Sequence, residues 1–239
     1  ERKARGAVST GPSLFARALE AVRQPKPRYT CLGLIAVLML VMPYISSMYQ
    51  INIMISALIY IMLGLGLNIV VGLAGQLVLG YAAFYAVGAY TYGLLNTYFG
   101  LGFWAVLPVG GIMAALFGLM LGFPVLRLKG DYLAIVTLAC GEIIKTIINN
   151  LSVTGGAKGL DTSAIYADTR TLLPFAIVLI FLVVLVMMNL KNSRHGRAIM
   201  AIRDNRIAAE SNGVNVTYYK LMVFVLAAFF AGMAGVLYG

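Results

Sequence analysis

The chain contains few of the residues from which catalytic and metal sites are built. Among its 239 residues there are 2 cysteines, 1 histidine and 8 acidic side chains. Cys31 and Cys140 lie in apolar segments without metal-ligand spacing, so they indicate small buried hydrophobic residues rather than ligands or a disulfide. The single His195 leaves nothing from which to build a zinc site or a histidine-based proton relay. No metal site and no catalytic site are therefore expected.

Phosphate-binding signatures are missing as well. The glycines between Gly155 and Gly159 lack both the spacing and the following helix of a phosphate loop. We therefore expect this chain to bind no cofactor. If the protein pumps a solute, ATP is hydrolysed on another chain.

Charge is scarce, and apolar residues dominate. Charged residues make up 11% of the chain and hydrophobic ones 61%, with a mean hydropathy of +0.91. Soluble proteins carry roughly 45–50% apolar and about 25% charged residues. The composition therefore predicts an integral membrane protein.

The net charge of +10 is concentrated in two stretches. Seven of the 18 basic residues precede residue 30, and five more lie between Lys191 and Arg206. Basic clusters flanking apolar runs are topology signals of membrane proteins. The charge distribution therefore argues against a nucleic-acid partner and for contact with membrane lipid.

Seven apolar runs are long enough to cross a bilayer, whose core of about 30 Å needs about 20 helical residues. They cover residues 30–47, 51–71, 77–97, 103–126, 132–151, 171–190 and 217–239. If the N-terminus is cytoplasmic, every basic cluster falls on one side. We therefore predict an all-α, polytopic helix bundle, with a basic cytoplasmic tail over 1–29 and a transmembrane domain over 30–239.

The link from Gly72 to Gln76 carries no charge, so its position is open. It is either a tight cytoplasmic turn or a break in the helix inside the membrane, which is tolerated where protein or a cavity covers the backbone. Gln76, Tyr81 and Tyr85 follow among several glycines. This mixture is compatible with a broken-helix vestibule for a small polar solute, or with ordinary packing of the tyrosines.

Two stripes of small residues predict close helix contacts. Small side chains spaced four apart allow the backbones of membrane helices to approach. One stripe lies near residues 110–122 and the other near residues 227–239; their members are Gly110, Ala114, Gly118, Gly122, Ala227, Ala231, Gly235 and Gly239. We expect both faces to contact other helices.

Glu142 is placed about halfway along the fifth apolar run. An ionised carboxylate at that depth is costly in lipid, so it should face protein or water. Lys145 follows at i+3. Two interpretations remain open: an intrahelical ion pair between the two side chains, or a position on the path of the transported solute.

Residues 191–216 form a polar island between two apolar runs. Arg197 to Glu210 can form one helix of about four turns, with Ile199, Ile202, Arg206 and Ala209 in one stripe. Gly213 should end it, and Thr217 can cap the next helix. By its chemistry the island could lie on lipid headgroups or fit a groove of a cytosolic partner.

Three longer motifs carry a family resemblance. They read GLNIVVGLAGQLVLGYAAFYAVGAY from Gly66, FPVLRLKGDYLAIVTLACGEII from Phe123 and SRHGRAIMAIRDNRIAAESNGVNVTYYKL from Ser193. Within the last, Ile207 to Gly213 is similar to the Glu-Ala-Ala, three residues, Gly pattern of ABC importer permeases, with Ile207 in place of the acid. Together the motifs resemble the M-type permease subunits of bacterial high-affinity importers for leucine, isoleucine and valine.

The resemblance implies an assembly in the bacterial inner membrane. It consists of a homologous H-type permease subunit, two cytosolic ABC ATPase subunits that hydrolyse the ATP, and a periplasmic amino-acid-binding protein. Residues 191–216 would be the cytoplasmic loop that couples the permease to the ATPases. The coupling positions are Arg203, Ile207, Ala208, Ala209, Glu210 and Gly213, and the positions proposed for the solute path are Gln76, Tyr81, Tyr85 and Glu142.

Family members continue past position 239 with further spans, which would make this chain part of a larger bundle. Two alternatives stay open. The same architecture could carry another small polar solute, such as a urea-type amide or a sugar. Alternatively, the chain could be an ATPase-independent secondary transporter or channel whose island lies on lipid.

Overall fold

The computed structural model describes residues 47–125, 128, 130–151, 154–156, 159 and 169–239. These parts of the chain are helical and contain no strand. Eight α-helices follow in order: α1 Met48–Leu67, α2 Ala82–Phe99, α3 Phe103–Val125, α4 Asp131–Asn150, α5 Thr169–Asn192, α6 Arg194–Asp204, α7 Arg206–Ser211 and α8 Val216–Tyr238. A π-helical turn, Asn68–Leu73, continues α1. The prediction of an all-α helix bundle is confirmed.

Four helical stretches are long and apolar enough to cross a membrane by length and composition. They are Met48–Leu73, Phe103–Pro124, Leu172–Asn192 and Val216–Tyr238. The runs predicted at 77–97 and 132–151 correspond to α2 and α4, which do not belong to these four. The run at 30–47 and the tail over 1–29 lie outside the described residues, except for Ser47. Seven crossings with a cytoplasmic N-terminus therefore stay a prediction.

Helix α8 is the centre of the bundle. It packs against α3, α2 and α1, and most of its side chains from Val223 to Leu237 are buried. An exposed helix of a membrane protein would show the lipid an apolar face, whereas α8 is apolar all round and enclosed by other helices. Because other helices surround α8, its small residues allow those helices to approach closely.

The two small-residue stripes meet other helices, as predicted. A Cβ on Gly118 would lie 2.7 Å from Cβ of Ala228. A Cβ on Gly88 in α2 would overlap the backbone of Gly232 in α8, and a Cβ on Gly232 would meet Ala114 and Gly110 of α3, so neither position has room for a side chain. Close approach of backbones maximises van der Waals contact, which drives helix association where lipid is as apolar as protein.

A cluster of aromatic rings joins α2, α3 and α5 at one end of the bundle. Phe103 and Trp104 open α3, and their ring centroids lie 5.6 Å and 4.5 Å from that of Phe175 near the start of α5. Tyr92 of α2 contacts Phe103 edge-on at 6.1 Å. The polar island follows the far end of α5, so the aromatic cluster and the island lie at opposite ends of that helix.

Candidate functional site

The helix break between α1 and α2 forms the first part of the site. The helix widens into the π-helical turn and then leaves helical geometry until Ala82. Gly75 takes a φ of 64°, a left-handed conformation that glycine adopts without strain. The amide of Gln76 still donates to the Val70 carbonyl at 3.1 Å. Residues 74–80 then alternate between buried and exposed. The helix of the predicted run 77–97 therefore begins five residues later than expected.

The last residues of the break run into the bundle. The amide of Leu79 donates to Oγ1 of Thr137, the seventh residue of α4, at 3.2 Å. The hydroxyl of Tyr81 donates to the carbonyl of Ala227 at 2.8 Å. Ala227 is the twelfth residue of α8, about 16 Å from that helix's start at 1.5 Å per residue. Residues 79–81 therefore lie inside the bundle, whereas Gly72 and Gly75 contact Arg203 of the polar island. The two alternatives for the uncharged link from Gly72 to Gln76 therefore stay open.

Gln76 lies in this break with its side chain enclosed. Only 2% of the residue is exposed, and neither its amide nitrogen nor its amide oxygen has a hydrogen-bond partner among the described residues. Burying an amide without partners costs free energy. Such a group is held in place by its neighbours.

The two tyrosines of the predicted solute path have different surroundings. Tyr81 is buried, and its hydroxyl is used by the bond to Ala227. Its hydroxyl end lies against Gly66, where no side chain would fit. Tyr85 is half-buried, and its ring centroid lies 5.6 Å from that of Tyr238 at the end of α8. Tyr81 thus joins the break to α8 and α1, and Tyr85 packs α2 against α8.

Glu142 and Lys145 form the ion pair that one of the two interpretations predicted. Nζ of Lys145 lies 3.4 Å from Oε2 of Glu142, and the side chains are 67% and 62% exposed, respectively. Glu142 is the twelfth of the 20 residues of α4, so the pair lies near the middle of that helix. The intrahelical ion pair is present in the structure, while a place for Glu142 on the solute path stays a prediction.

A cavity of about 250 Å³ separates this pair from the helix break. Gly141 of α4 lies against Gly80 of the break, which brings the two elements together beside it. The break and α2 supply one wall, and α4 supplies the other. The lining residues are Leu79, Gly80, Ala82, Ala83, Ala86, Leu138, Gly141, Glu142, Ile144 and Lys145. Of the four residues predicted for the solute path, Glu142 is the one that lines this cavity.

The polar island is made of two helices, so the prediction of one helix from Arg197 to Glu210 is wrong. Asn205 has extended backbone angles, φ −152° and ψ 105°, and its side chain accepts a hydrogen bond from the amide of Ala208 at 3.1 Å. An asparagine that caps the first turn of a helix stands outside that helix. The chain therefore bends between α6 and α7.

The ends of the polar island agree in part with the prediction from the sequence. Gly213 has a φ of 80° and follows α7, as predicted for a helix-ending glycine. The cap of α8 is Asn215, whose side chain accepts from the amide of Tyr218 at 3.1 Å. Thr217 was predicted for this role, but it is the second helical residue and lies past the capping position. An asparagine stands directly before the first residue of both α7 and α8 and bonds to the amide three positions later. This asparagine is the sequence signal from which both caps could have been predicted.

The apolar stripe of the island faces the chain's own bundle. Ile199 belongs to the main core, and Ile202 packs with Ala209 and Val216 in a second, smaller core. Ala209 is buried there, so its small side chain serves close packing between α7 and the start of α8. The apolar face of α6 is therefore not free to enter a lipid surface.

The outer side of the island is exposed and contains one large apolar side chain. Ile207 is 76% exposed, and Ala208, Glu210 and Gly213 around it are exposed too. Arg206 pairs with Glu210 across one helical turn at 2.9 Å. We call these exposed positions, 207, 208, 210 and 213, the outer surface of α7.

Arg203 connects the island to the helix break. Its Nη1 donates to the carbonyl of Gly72 at 2.6 Å, and its aliphatic stem lies against Gly75. A side chain on Gly75 would meet Cγ of Arg203 at 2.9 Å, so glycine is needed for this approach. The island and the break are thus in direct contact, which neither motif alone would have predicted.

Comparison with known proteins identifies the family. The family described as the branched-chain amino acid transport system permease component matches residues 49–239. The chain is 43% identical to the high-affinity branched-chain amino acid transport system permease protein LivM of Escherichia coli K12, over 87% of this chain and 56% of that protein. It is 39% identical to the protein of the same name from Salmonella typhimurium, over 82% of this chain and 53% of the relative.

A more distant relative is the probable branched-chain amino acid transport permease protein LivM of Methanocaldococcus jannaschii, 31% identical over 56% of this chain and 42% of that protein. The chain spans about half the length of the curated relatives it matches. No solved structure matches it.

The apolar helices and the family match agree with each other. The family match covers residues 49–239, and the four apolar helices fit a multi-pass protein of the bacterial inner membrane. The resemblance read from the three motifs is confirmed. This chain belongs to the family of branched-chain amino acid transport system permease components.

Proposed function

We propose that this chain is part of the membrane-spanning permease of an ATP-binding-cassette importer for leucine, isoleucine and valine. The family match and the names of the two enterobacterial relatives support the solute class. In this proposal residues 30–239 form the permease domain, 1–29 form a cytoplasmic tail, and 191–216 form the coupling loop. The chain transports and does not itself catalyse a reaction.

The observation that carries the proposal is the burial of the island's apolar stripe. An amphipathic helix that lies on lipid inserts its apolar face below the headgroups. Ile199 and Ile202 of α6 are already enclosed by the chain's own core. This burial favours a protein partner over lipid for the island and so disfavours the ATPase-independent alternative.

The outer surface of α7 is the part of the island that fits a protein partner. An exposed isoleucine flanked by small residues suits a partner's groove, where one apolar anchor is buried and the neighbours allow close approach. Ile207 would be the anchor, with Ala208 and Gly213 beside it. Two cytosolic ATPase subunits, which bind and hydrolyse the ATP, are the partners proposed for this surface and its counterpart.

The contact between Arg203 and Gly72 supplies a route from the ATPases to the membrane. A movement of α6 and α7 would pull on the carbonyl at the end of the π-helical turn. The non-helical break beyond it lacks the hydrogen bonds that stiffen α1 and α2. It is therefore the part of this connection that changes shape most easily.

The other partners follow from the same family. A homologous H-type permease subunit would cover the exposed face of α4, where a charged pair halfway along the helix is poorly suited to lipid. A periplasmic amino-acid-binding protein would deliver the solute to the opposite end of the bundle. Both assignments remain proposals for the complete transporter.

The test of the coupling surface uses two exposed alanines of the island. Ala208→Arg places a long cation on the outer surface of α7, whereas Ala201→Arg places the same cation on α6. We expect Ala208→Arg to abolish co-purification of the ATPase subunits and ATP-driven leucine uptake into proteoliposomes. The matched Ala201→Arg should retain both.

Two results would contradict the proposal in different ways. Normal ATPase binding and uptake by Ala208→Arg would remove the docking surface from α7. Uptake of leucine without any ATPase, collapsing with the ion gradient, would instead point to the secondary-transporter alternative. An active complex that transports an amide or a sugar but not leucine would change the solute alone.

A further inference from the structure

The cavity between α2 and α4 combines opposite charges with an apolar wall. Glu142 and Lys145 lie on one side of it, one helical turn apart. The facing wall comes from the break and the first turns of α2, where Leu79, Ala82 and Ala86 line the cavity. Small side chains on that wall leave the space open.

The volume suits a molecule of amino-acid size. At about 250 Å³ the cavity holds several times the roughly 30 Å³ of one water molecule. It is slightly smaller than the roughly 300 Å³ at which pockets for drug-sized ligands begin. A small organic solute fits, and a peptide or a larger sugar does not.

The ion pair is loose and has capacity for further partners. Its N···O distance of 3.4 Å exceeds the roughly 2.7–2.9 Å of a tight charge-assisted hydrogen bond. Each group has unused sites, since a carboxylate accepts about four hydrogen bonds and an ammonium group donates three. No other described protein group is recorded as bonding to either side chain.

We propose that this cavity is the site at which the permease holds the zwitterionic amino acid during transport. Glu142 accepts hydrogen bonds from the α-ammonium group, and Lys145 donates to the α-carboxylate. The aliphatic side chain lies against Leu79, Ala82 and Ala86. This inference rests on the proposed function and adds to it the residues that recognise the solute.

The charges favour a zwitterion over a singly charged solute. One ion pair is replaced by two when the amino acid enters, and the net charge of the site stays at zero. A lone cation or anion would pair with one side chain and leave the other without its partner, so the number of ion pairs would not rise. The recognition therefore selects both α-groups at once.

The apolar wall of the cavity explains a preference for solutes with aliphatic side chains. The described lining residues outside the ion pair are leucine, isoleucine, alanine and glycine. A polar solute side chain in their midst would lose its hydrogen bonds to water without replacement. Leucine, isoleucine and valine lose none, so the wall discriminates by desolvation as well as by size.

The experiment uses the complete transporter in proteoliposomes, with its ATPase and binding-protein partners, and measures leucine transported per ATP hydrolysed. We expect Glu142→Gln and Lys145→Gln each to lower this ratio by about tenfold or more, since a hydrogen bond to a charged group contributes a factor of that order. Thr146→Val is the matched control, because this exposed neighbour on α4 does not line the cavity.

A charge exchange separates binding from a merely structural role. The double variant Glu142→Lys with Lys145→Glu keeps an ion pair on α4 but reverses its direction. If the pair only stabilises the helix, transport returns with the double variant, and the inference is overturned. If the pair orients the solute, assembly returns and leucine transport does not.

A third variant leaves both charges intact and so covers the case of charge variants that fail to assemble. Ala86→Leu narrows the apolar wall, and we expect leucine transport to fall more than valine transport. An unchanged leucine-to-valine ratio in a variant that assembles would overturn the site. Wild-type transport of leucine would stand in that case, so the proposed function survives a failure of this inference.

Discussion

Single residues in this protein act mainly through the hydrogen bonds that they make or lack. Tyr81 and Gln76 are five positions apart in the same helix break, and both are buried. The hydroxyl of Tyr81 reaches a carbonyl of α8, whereas the amide of Gln76 reaches no described partner. Tyr81 therefore anchors the break, whereas the amide of Gln76 is buried without a partner among the described residues.

The anchor can be tested with Tyr81→Phe. Loss of the 2.8 Å hydrogen bond to Ala227 should destabilise the protein by about 1 kcal/mol. For a chain of this size that corresponds to a drop of about 2–4 °C in Tm. Thermal unfolding of the purified protein in detergent measures it, with the exposed Tyr98→Phe as control. Equal Tm values for the two variants would show that the bond contributes little.

Sequence reasoning selected both Tyr81 and Gln76 but could not assign their roles. Tyrosine and glutamine among glycines are equally compatible with a solute path and with packing. The difference depends on whether a carbonyl lies within reach of the side chain. For Tyr81 that carbonyl belongs to Ala227, 146 positions away in the chain.

Helix elements are held together here by close backbone approach. At the crossing of α2 and α8, Gly88 and Gly232 leave no space between their backbones. Lipid competes well for apolar side chains, so contacts of this kind contribute much of the association between membrane helices. The crossing also sets the position at which α2 starts after the break.

Gly88→Ala should separate these two helices. Its added Cβ would overlap the Gly232 backbone, and overpacking of this kind costs about 1–3 kcal/mol. Gly64→Ala in α1 is the matched control, because a Cβ there meets nothing within 4 Å. We expect a lower Tm and reduced expression for Gly88→Ala alone. A drop of the same size in the Gly64 variant would contradict the packing argument.

The small-residue stripes show which element contacts a sequence can predict. Spacing of four places Gly110, Gly118, Ala227 and Gly235 on helix faces, and those faces do contact other helices. Spacing alone could not identify Gly88 and Gly232 as the crossing partners. A stripe of small residues predicts that another helix packs against it. Which helix packs there depends on the crossing geometry.

The break between α1 and α2 shows what the sequence could not predict about a structural element. Residues 77–81 are as apolar as a helical span, and a run of apolar residues predicts helix and extended segment equally poorly. The bond from Leu79 to Thr137 and the contact between Gly80 and α4 hold this non-helical segment against α4. Those partners lie on another helix.

Across the whole molecule, the island, the break and the α2–α4 cavity form one connected path. Arg203 of the island contacts Gly72 and Gly75, the break follows, and its residues Leu79 and Gly80 line the cavity. The three motifs of the sequence thus lie in contact in space. In the proposed importer this path joins ATP hydrolysis to the solute.

Arg203→Ala tests the connection. We expect the ATPase subunits still to bind and hydrolyse ATP, because the outer surface of α7 is unchanged, while leucine transported per ATP falls by roughly tenfold. Arg194→Ala removes another exposed arginine of α6 and should have little effect. Retained transport per ATP in the Arg203 variant would show that the path does not run through this hydrogen bond.

By itself the sequence determined the class of protein, the positions of most helices and the family. Apolar runs of spanning length indicate membrane spans. They are helical in lipid because their backbone groups need internal hydrogen bonds there. The three motifs resemble one family in the right order, and that resemblance was confirmed over residues 49–239. These properties depend on composition and local order along the chain.

Only the tertiary structure decided where the polar groups meet. It placed Arg203 on the carbonyl of Gly72, turned Ile199 and Ile202 inward, and set the Glu142–Lys145 pair beside a cavity next to the break. Each of these depends on the angle and depth at which two distant helices cross. Residue spacing within one helix does not contain that information, because the contact atoms belong to different parts of the chain.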